Sequence, residues 1–483
     1  MVHLMSIESD GSPRKPNVEP HIEPAAIDQT GTAQPHISTS SGGLLQIFRP
    51  APPAAVMLTD PQEITAKYAH WQKLVLIFSI TGYASFYFVR KNLGVAMPVM
   101  GKALAIDKVA FGTFLTLHGV IYGVSKFLNG FLADRSNART FMACALVASA
   151  LLNIAFGFSS AVVVLGLIWM LNGWFQGMGF PPCARLIANW FPPKQLATKF
   201  SIWNSSHNIG SILIVLLCGF LLSGKLFAPN WKLCFFVPAG IALVVAAMLW
   251  FWLPDTPPSV GLPEVEGTHA ESQDKESHEH FQRFVARQVF GNKYIWLLSA
   301  ANFFVYSIRY AVFDWGPTLL VEVKHLQIMY AAWMIAGFEV FGLIGALLGG
   351  WLTDRYLGGR AGRTCIIYMI LAGVSVFLFW KIHTESKLLI TGLLCATGFF
   401  VYGPQCLLAI ACANLATKRA AATAVGLTSI FGYASTTVSG LGFGYLVKHY
   451  GWDAGFEVLL GCAVIGTLLF IAAWPAKAHG YAE

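Results

Sequence analysis

GFLADRSNAR (130–139) and GWLTDRYLGGR (350–360) repeat one pattern. Each ends an apolar stretch with Asp-Arg and a further arginine, and Asp134 and Asp354 lie 220 residues apart. Arg90 and Arg309, inside neighbouring apolar stretches, are 219 apart, and Pro181 and Pro404 are 223 apart. Three independent features at nearly one offset imply two parallel duplicated halves, related by an axis along a membrane normal.

The stretches around these landmarks are long and apolar. The 483-residue chain is 55% hydrophobic and only 12% charged, against about a quarter charged in soluble domains. Twelve apolar segments are read at roughly 73–98, 109–133, 140–158, 161–190, 197–223, 231–253, 294–320, 328–353, 364–382, 387–416, 420–447 and 453–474. Lipid offers no partner for a bare N–H or C=O, so each is predicted to be helical. The fold class is an all-α membrane protein with twelve transmembrane helices in two pseudo-symmetric six-helix halves. Five blocks follow: a disordered cytoplasmic tail (1–65), an N-terminal half (66–253), a cytoplasmic linker (254–293), a C-terminal half (294–476) and a short C-terminal tail (477–483).

Net charge is +8, yet the basic residues form no tract and punctuate segment ends instead. That excludes nucleic acid as the natural partner and names the lipid bilayer. Connections after even-numbered segments hold more Lys and Arg than those after odd ones, which places both termini and the linker in the cytoplasm. Nine scattered cysteines without a CxxC pair read as packing residues, with no metal and no cofactor. No P-loop, ligand cluster or soluble catalytic domain is found, so the chain is not read as an enzyme.

Ionisable residues inside the segments carry the chemistry, since Arg at a bilayer centre costs roughly 2.5–3.5 kcal/mol. Arg90, Lys126, His207 and Arg309 belong to segments one, two, five and seven, which one central site could collect. Two guanidinium forks, one per half, suit a phosphate group; the competing reading makes Arg90 and Lys91 snorkelling residues and pairs Arg309 with Asp314 or Glu339. Asp314 and Glu339 read as counter-ions for Arg309 and Lys126 in preference to proton-coupling groups. His207 could donate to phosphate and sense protonation. Tyr83, Tyr87, Tyr122, Trp203 and Tyr402 are candidate lining residues. The turns Asp134-Arg135 and Asp354-Arg355, with Gly130 and Gly350 allowing close helix approach, read as cytoplasmic gates.

GYASFYFVRKNLGVAMP (82–98), GVIYGVSKFLNGFLADRSNAR (119–139), GWFQGMGFPPCARL (173–186), IWNSSHNIGS (202–211), DTPPSVGLP (255–263), IRYAVFDWGPTLLVEVKH (308–325) and FFVYGPQ (399–405) occur in this order. Together they resemble the organophosphate:phosphate antiporters of the major facilitator superfamily, most of all the glycerol-3-phosphate transporter branch. The resemblance implies phosphate-binding arginines at Arg90 and Arg309 and an embedded lysine and histidine at Lys126 and His207. It also implies cavity or gate residues at Tyr83, Tyr87, Tyr122, Trp174, Trp203, Asn204, Glu339, Tyr402 and Tyr433. Phe180 stands where a tryptophan is frequent, and the following CARL resembles sugar-phosphate sensors. Segment eleven lacks the acid–base pair of some hexose-phosphate members.

The expected function is exchange of an organophosphate (glycerol-3-phosphate or a similar sugar or glycerate phosphate) for inorganic phosphate across the inner membrane by alternating access. The alternatives are a non-transporting membrane sensor of external sugar phosphate, working with a sensor kinase, and a proton-coupled organic anion symporter.

Overall fold

The structure, a computed structural model, describes residues 47–225, 228–265, 283–357, 360–382 and 384–476. The expected tail over 1–46, the centre of the expected linker (266–282) and the end of the chain (477–483) lie outside the described residues.

Among the described residues, twelve helical rods follow one another. Span 1 joins Pro61–Phe88 to Asn92–Leu104; span 2 is Lys108–Ala133 and span 3 Ala138–Phe158. Span 4 joins Val162–Gly177 to Phe180–Trp190, span 5 joins Pro193–Asn204 to Ser206–Leu222, and span 6 is Leu233–Trp252. Lys293–Glu322, Ile328–Tyr356, Ala361–Lys381 and Lys387–Leu415 form spans 7 to 10. Span 11 is Thr417–Ala434, a π-helical turn Thr437–Gly442 and Phe443–Tyr450; span 12 is Trp452–Ala472.

Among the described residues, ten helical stretches are long and apolar enough to cross a bilayer. The remaining two rods, spans 2 and 11, depart from that pattern for a reason. Span 2 turns His118, Tyr122, Ser125 and Asn129 inward, a polar face that dilutes its hydropathy. Span 11 is interrupted by its π turn. Both occupy the centre of the molecule, where polar side chains meet protein and not lipid.

Span 1 breaks at Val89–Lys91, just where Arg90 must point inward. The break frees the Val89 carbonyl, which accepts from Asn153 Nδ2 and Asn172 Nδ2, both at 2.9 Å. Asn153 also accepts from Asn92 Nδ2 at 2.8 Å. All three asparagines are buried, so the break is stabilised by amide groups from spans 1, 3 and 4. An Asn153→Ala variant leaves buried polar groups short of partners, at about 1–3 kcal/mol each. The expected result is a lower thermal midpoint in detergent with insertion retained; an unchanged midpoint would remove these amides from the account.

The end of the expected tail is ordered. Asp60 caps the first helix by accepting from Gln62 N, and Pro61 occupies the first turn. Residues 48–58 run beside the 255–261 loop, with Ala54 N donating to Pro258 O (2.8 Å) and Leu58 N to Gly261 O (2.9 Å). Gly261 needs its positive φ of 80° there. Asp255 holds the arrangement: its buried carboxylate accepts from Ala51 N (3.1 Å), Ala138 N (2.8 Å) and the Arg185 guanidinium (3.2 Å). Pro-rich composition suggested disorder through residue 65; a carboxylate 204 residues downstream of Ala51 gives its last part a partner.

Candidate functional site

The two halves meet along spans 1, 2 and 5 on one side and spans 7, 8 and 11 on the other. The contact is closest between spans 2 and 11, where a Cβ on Gly112 would come within 2.5 Å of the Gly440 carbonyl. The π turn leaves backbone groups unpaired, and Thr116 meets two of them. Its hydroxyl donates to Thr436 O (2.7 Å) and accepts from Leu441 N (2.8 Å). Nearer the ends of the rods, Lys448 Nζ lies 2.6 Å from Asp107 Oδ2, and Lys108 Nζ 2.9 Å from Glu322 Oε2. These ties close the face formed by the 1–2, 7–8 and 11–12 connections.

Asp107 is held below the usual carboxylate range, first by the hydrogen bond from Lys448 and then by the Ala110 backbone N–H. A depressed folded value means that the tie is complete above the ordinary carboxylate pKa of about 3.9 and is lost as pH falls through the lower folded value. The pair is partly exposed, so its contribution is small, about 0.2–1 kcal/mol. Acid titration of the thermal midpoint should show this loss in the wild type and not in Asp107→Asn.

Behind that closure lie the predicted cations. Arg90 Cζ sits 4.0 Å above the Tyr122 ring and 5.3 Å from the Tyr87 ring centroid. Tyr122 in turn packs edge-on against Tyr433 of the opposite half, centroids 4.8 Å apart. Lys126, one helical turn along span 2, donates to the Tyr433 hydroxyl at 3.2 Å and lies 3.9 Å over the Phe180 ring. In the C-terminal half Arg309 stands 4.3 Å over Tyr402 and 3.9 Å from Glu339 Oε1. Glu339 is fully buried; it also accepts from Asn208 Nδ2 (3.1 Å) and from the Tyr402 hydroxyl. His207 packs 6.0 Å from Tyr87, its Nδ1 against the Asn204 carbonyl. Tyrosine rings therefore link the cations into one constellation spanning both halves.

Several placements differ from the sequence expectations. Asp314 pairs with Lys91 (Nζ to Oδ1, 2.8 Å) and not with Arg309 or Lys126. Lys91 is a buried cross-half ion-pair residue, and it points away from Arg90 because the helix break turns the two side chains apart. Trp203 is completely buried; its indole N–H donates to Ser79 O, and its ring backs Tyr83 at 4.9 Å, so it supports the wall without facing the site. Asn204 is exposed and offers its carbonyl to His207, while Asn208, one turn further on, reaches Glu339. Trp174 gives its carbonyl to Ser125 Oγ. Tyr310 and Phe180 were not singled out as lining residues, although Tyr310 lies 5.0 Å from Lys91 Nζ and 5.8 Å from Arg309 Cζ.

The Asp-Arg turns also differ. Asp134, Arg135, Asp354 and Arg355 are exposed and, among the described residues, make no ion pair. A Cβ on Gly130 or Gly350 would meet nothing within 4 Å, so close helix approach is not what these glycines serve. The tie at this end of the N-terminal half runs instead through Arg185, which bonds Asp255 and the Ser136 carbonyl. Solvated carboxylates on a turn gain little from pairing; the buried Asp255 cannot remain without donors.

The sequence pattern of the Major Facilitator Superfamily matches residues 80–440. A probable hexose phosphate transport protein of Chlamydia pneumoniae is 36% identical over 441 residues, 88% of this chain and 96% of that one. The glycerol-3-phosphate transporter of Bacillus subtilis is 34% identical over 443 residues, covering 89% and 98%. A membrane sensor protein of Salmonella typhimurium, UhpC, is 34% identical over 436 residues, with the same coverage. In structure, a bacterial homologue of the human lysosomal transporter Spinster superposes with a TM-score of 0.69 over 84% of this chain and 97% of its own, at 14% identity. The chain belongs to the Major Facilitator Superfamily, as a multi-pass membrane protein of the transporter type and not an enzyme.

Proposed function

We propose that the chain is a secondary antiporter, exchanging a small phosphorylated solute for inorganic phosphate by alternating access between its halves. The observation that carries this reading is a charge imbalance. Four cationic side chains, Arg90, Lys91, Lys126 and Arg309, converge on the half–half contact with two carboxylates, Asp314 and Glu339. Both carboxylates are engaged by Lys91 and Arg309, which leaves Arg90 and Lys126, among the described residues, facing aromatic rings and a hydroxyl. A phosphate monoester carries about −1.5 to −2 at neutral pH, the charge such a site needs.

In this reading Arg90 and Arg309 hold the phosphate oxygens from opposite halves. Lys126 and His207 add donors, and the hydroxyls of Tyr87, Tyr122, Tyr402 and Tyr433 fix orientation. Tyr83 sits with them, backed by Trp203. Binding draws the halves together and offsets the loss of the Lys91–Asp314, Lys108–Glu322 and Asp107–Lys448 ties when the closed face opens. Asp134, Arg135, Asp354 and Arg355 are the residues available to close the other face. That face is the cytoplasmic one, in a cytoplasmic (inner) membrane, with both termini on the same side. The moving bodies are 66–253 and 294–476.

A second reading has its own support: a relative of equal similarity is named a sensor, and the CARL motif at 183–186 resembles that group. A sensor would bind external sugar phosphate and signal to a kinase without transport. A proton-coupled symporter, using Asp314 or Glu339, would take up anion with no counter-anion. Proteoliposomes preloaded with phosphate and challenged with glycerol-3-phosphate, glucose-6-phosphate and 3-phosphoglycerate separate the three. Labelled-phosphate exchange competed by one of these esters is the expected result. Ligand binding without exchange would replace the antiporter by the sensor.

A further inference from the structure

Away from the central site, an open cleft with a cavity volume of about 50 Å³ lies at the face that carries the 8–9 and 10–11 connections. The start of span 9 supplies Arg360 and Arg363, span 10 supplies Asn414, and Trp474 follows the end of span 12. Its floor is apolar, formed by Leu298, Leu415 and small alanines, and none of its lining residues is acidic. Neither arginine has an ion-pair partner among the described residues. Arg363 stacks its guanidinium 4.6 Å over the half-exposed Trp474 ring.

Two buried polar atoms in this cavity lack partners: Arg363 Nε, a donor, and Asn414 Oδ1, an acceptor. Such groups normally cost free energy unless something pairs with them. Arg360 precedes the 21-residue helix of span 9 without a side-chain cap, so that helix also presents its positive end here. A tryptophan at the end of a span marks the level of the headgroups. A basic pocket between spans at that level fits an anionic lipid headgroup, with the apolar floor leading into the hydrocarbon.

We infer that the cleft between spans 9, 10 and 12 is a binding site for an anionic glycerophospholipid whose headgroup carries a hydroxyl, its phosphodiester held by Arg360 and Arg363. The phosphodiester oxygens accept from Arg363 Nε and the guanidinium of Arg360. The headgroup hydroxyl donates to Asn414 Oδ1. Phosphatidylglycerol satisfies both requirements; phosphatidylcholine has the phosphodiester but neutralises it with a quaternary ammonium beside the two arginines, and has no headgroup hydroxyl for Asn414. The inference does not depend on what the central site transports.

The test uses the full-length protein, purified from mixed phosphatidylcholine and phosphatidylglycerol vesicles, with bound lipid counted by native mass spectrometry during delipidation. Wild type should keep one tightly held phosphatidylglycerol. Arg360→Gln/Arg363→Gln should bind it roughly 30-fold more weakly, at about fivefold per basic residue lost. Arg360→Lys/Arg363→Lys should recover part of the affinity. A cooperative thermal unfolding transition and monodisperse elution in detergent report that each variant has folded; should the double Gln variant fail, Arg363→Gln alone carries the comparison. Equal retention in wild type and the Gln variant would overturn the site. Displacement of the retained lipid by millimolar inorganic phosphate would overturn the lipid assignment and make this a site for free phosphate.

Discussion

Replacing Arg309 or Arg90 by lysine is expected to reduce phosphate exchange in proteoliposomes by roughly 100-fold while the protein inserts normally. Lysine preserves the charge, so the long-range attraction of an anion survives. What disappears is the planar fork that makes two parallel hydrogen bonds to one oxyanion. A charge-assisted hydrogen bond is worth about 1.5–3 kcal/mol, and 1.4 kcal/mol is a factor of ten. Arg309 adds a positional requirement, since it must stay over Tyr402 while 3.9 Å from Glu339. A shorter-reaching point charge cannot serve both. Because the two arginines occupy corresponding positions in the halves, the variants should fail to a similar degree. Wild-type exchange in either would end the proposed clamp.

Removing Glu339 should have the largest effect on stability. Its carboxylate is inaccessible and takes hydrogen bonds from Asn208 and Tyr402 beside Arg309. A Glu339→Ala variant leaves a guanidinium buried without its counter-ion, and breaking such a pair costs about 3–5 kcal/mol. Thermal unfolding in detergent is expected to fall accordingly. The same measurement with millimolar phosphate carries more information, because a bound oxyanion would restore the missing negative charge. Phosphate should therefore raise the midpoint of the variant more than that of the wild type. Equal shifts would mean that phosphate does not bind next to Arg309.

Much of the architecture was legible because a bilayer imposes simple rules. Every rod coincides with an apolar run, and the offset between halves was visible in Asp134 and Asp354, Arg90 and Arg309, and Pro181 and Pro404. The cations stood out because charge in a span is expensive. Which partner each cation takes was not legible, since that depends on rotations of a fraction of a helical turn. Lys91 follows Arg90 directly, yet the break at Val89–Lys91 sends one to Asp314 and the other to Tyr122. Asn204 and Asn208 are one turn apart, and only the second meets Glu339. Trp203 sits on the rear of the Tyr83 ring because span 5 is rotated against span 1, which composition does not record. The Asp255 tie was hidden for another reason: its partners come from residues 51, 138 and 185, far apart in sequence, and the motifs that hold two of them gave no sign that they meet.

That tie has a consequence for biosynthesis. The amide of Ala51 leaves the ribosome long before the carboxylate it will meet, 204 residues later. At about 5–20 residues per second the interval is roughly 10–40 s. During that time spans 1 to 6 enter the membrane; the strip at 48–58 can meet Asn137 and Phe141 through Phe48, while Ala51, Ala54 and Leu58 wait for the loop at 255–261. Once Asp255 and the loop to Gly261 emerge, the strip, the 2–3 turn and span 4 are fastened together. The first half is then sealed before Lys293 begins span 7. A chain stalled just short of Asp255 should expose the strip to added protease, and one stalled a few tens of residues later should protect it.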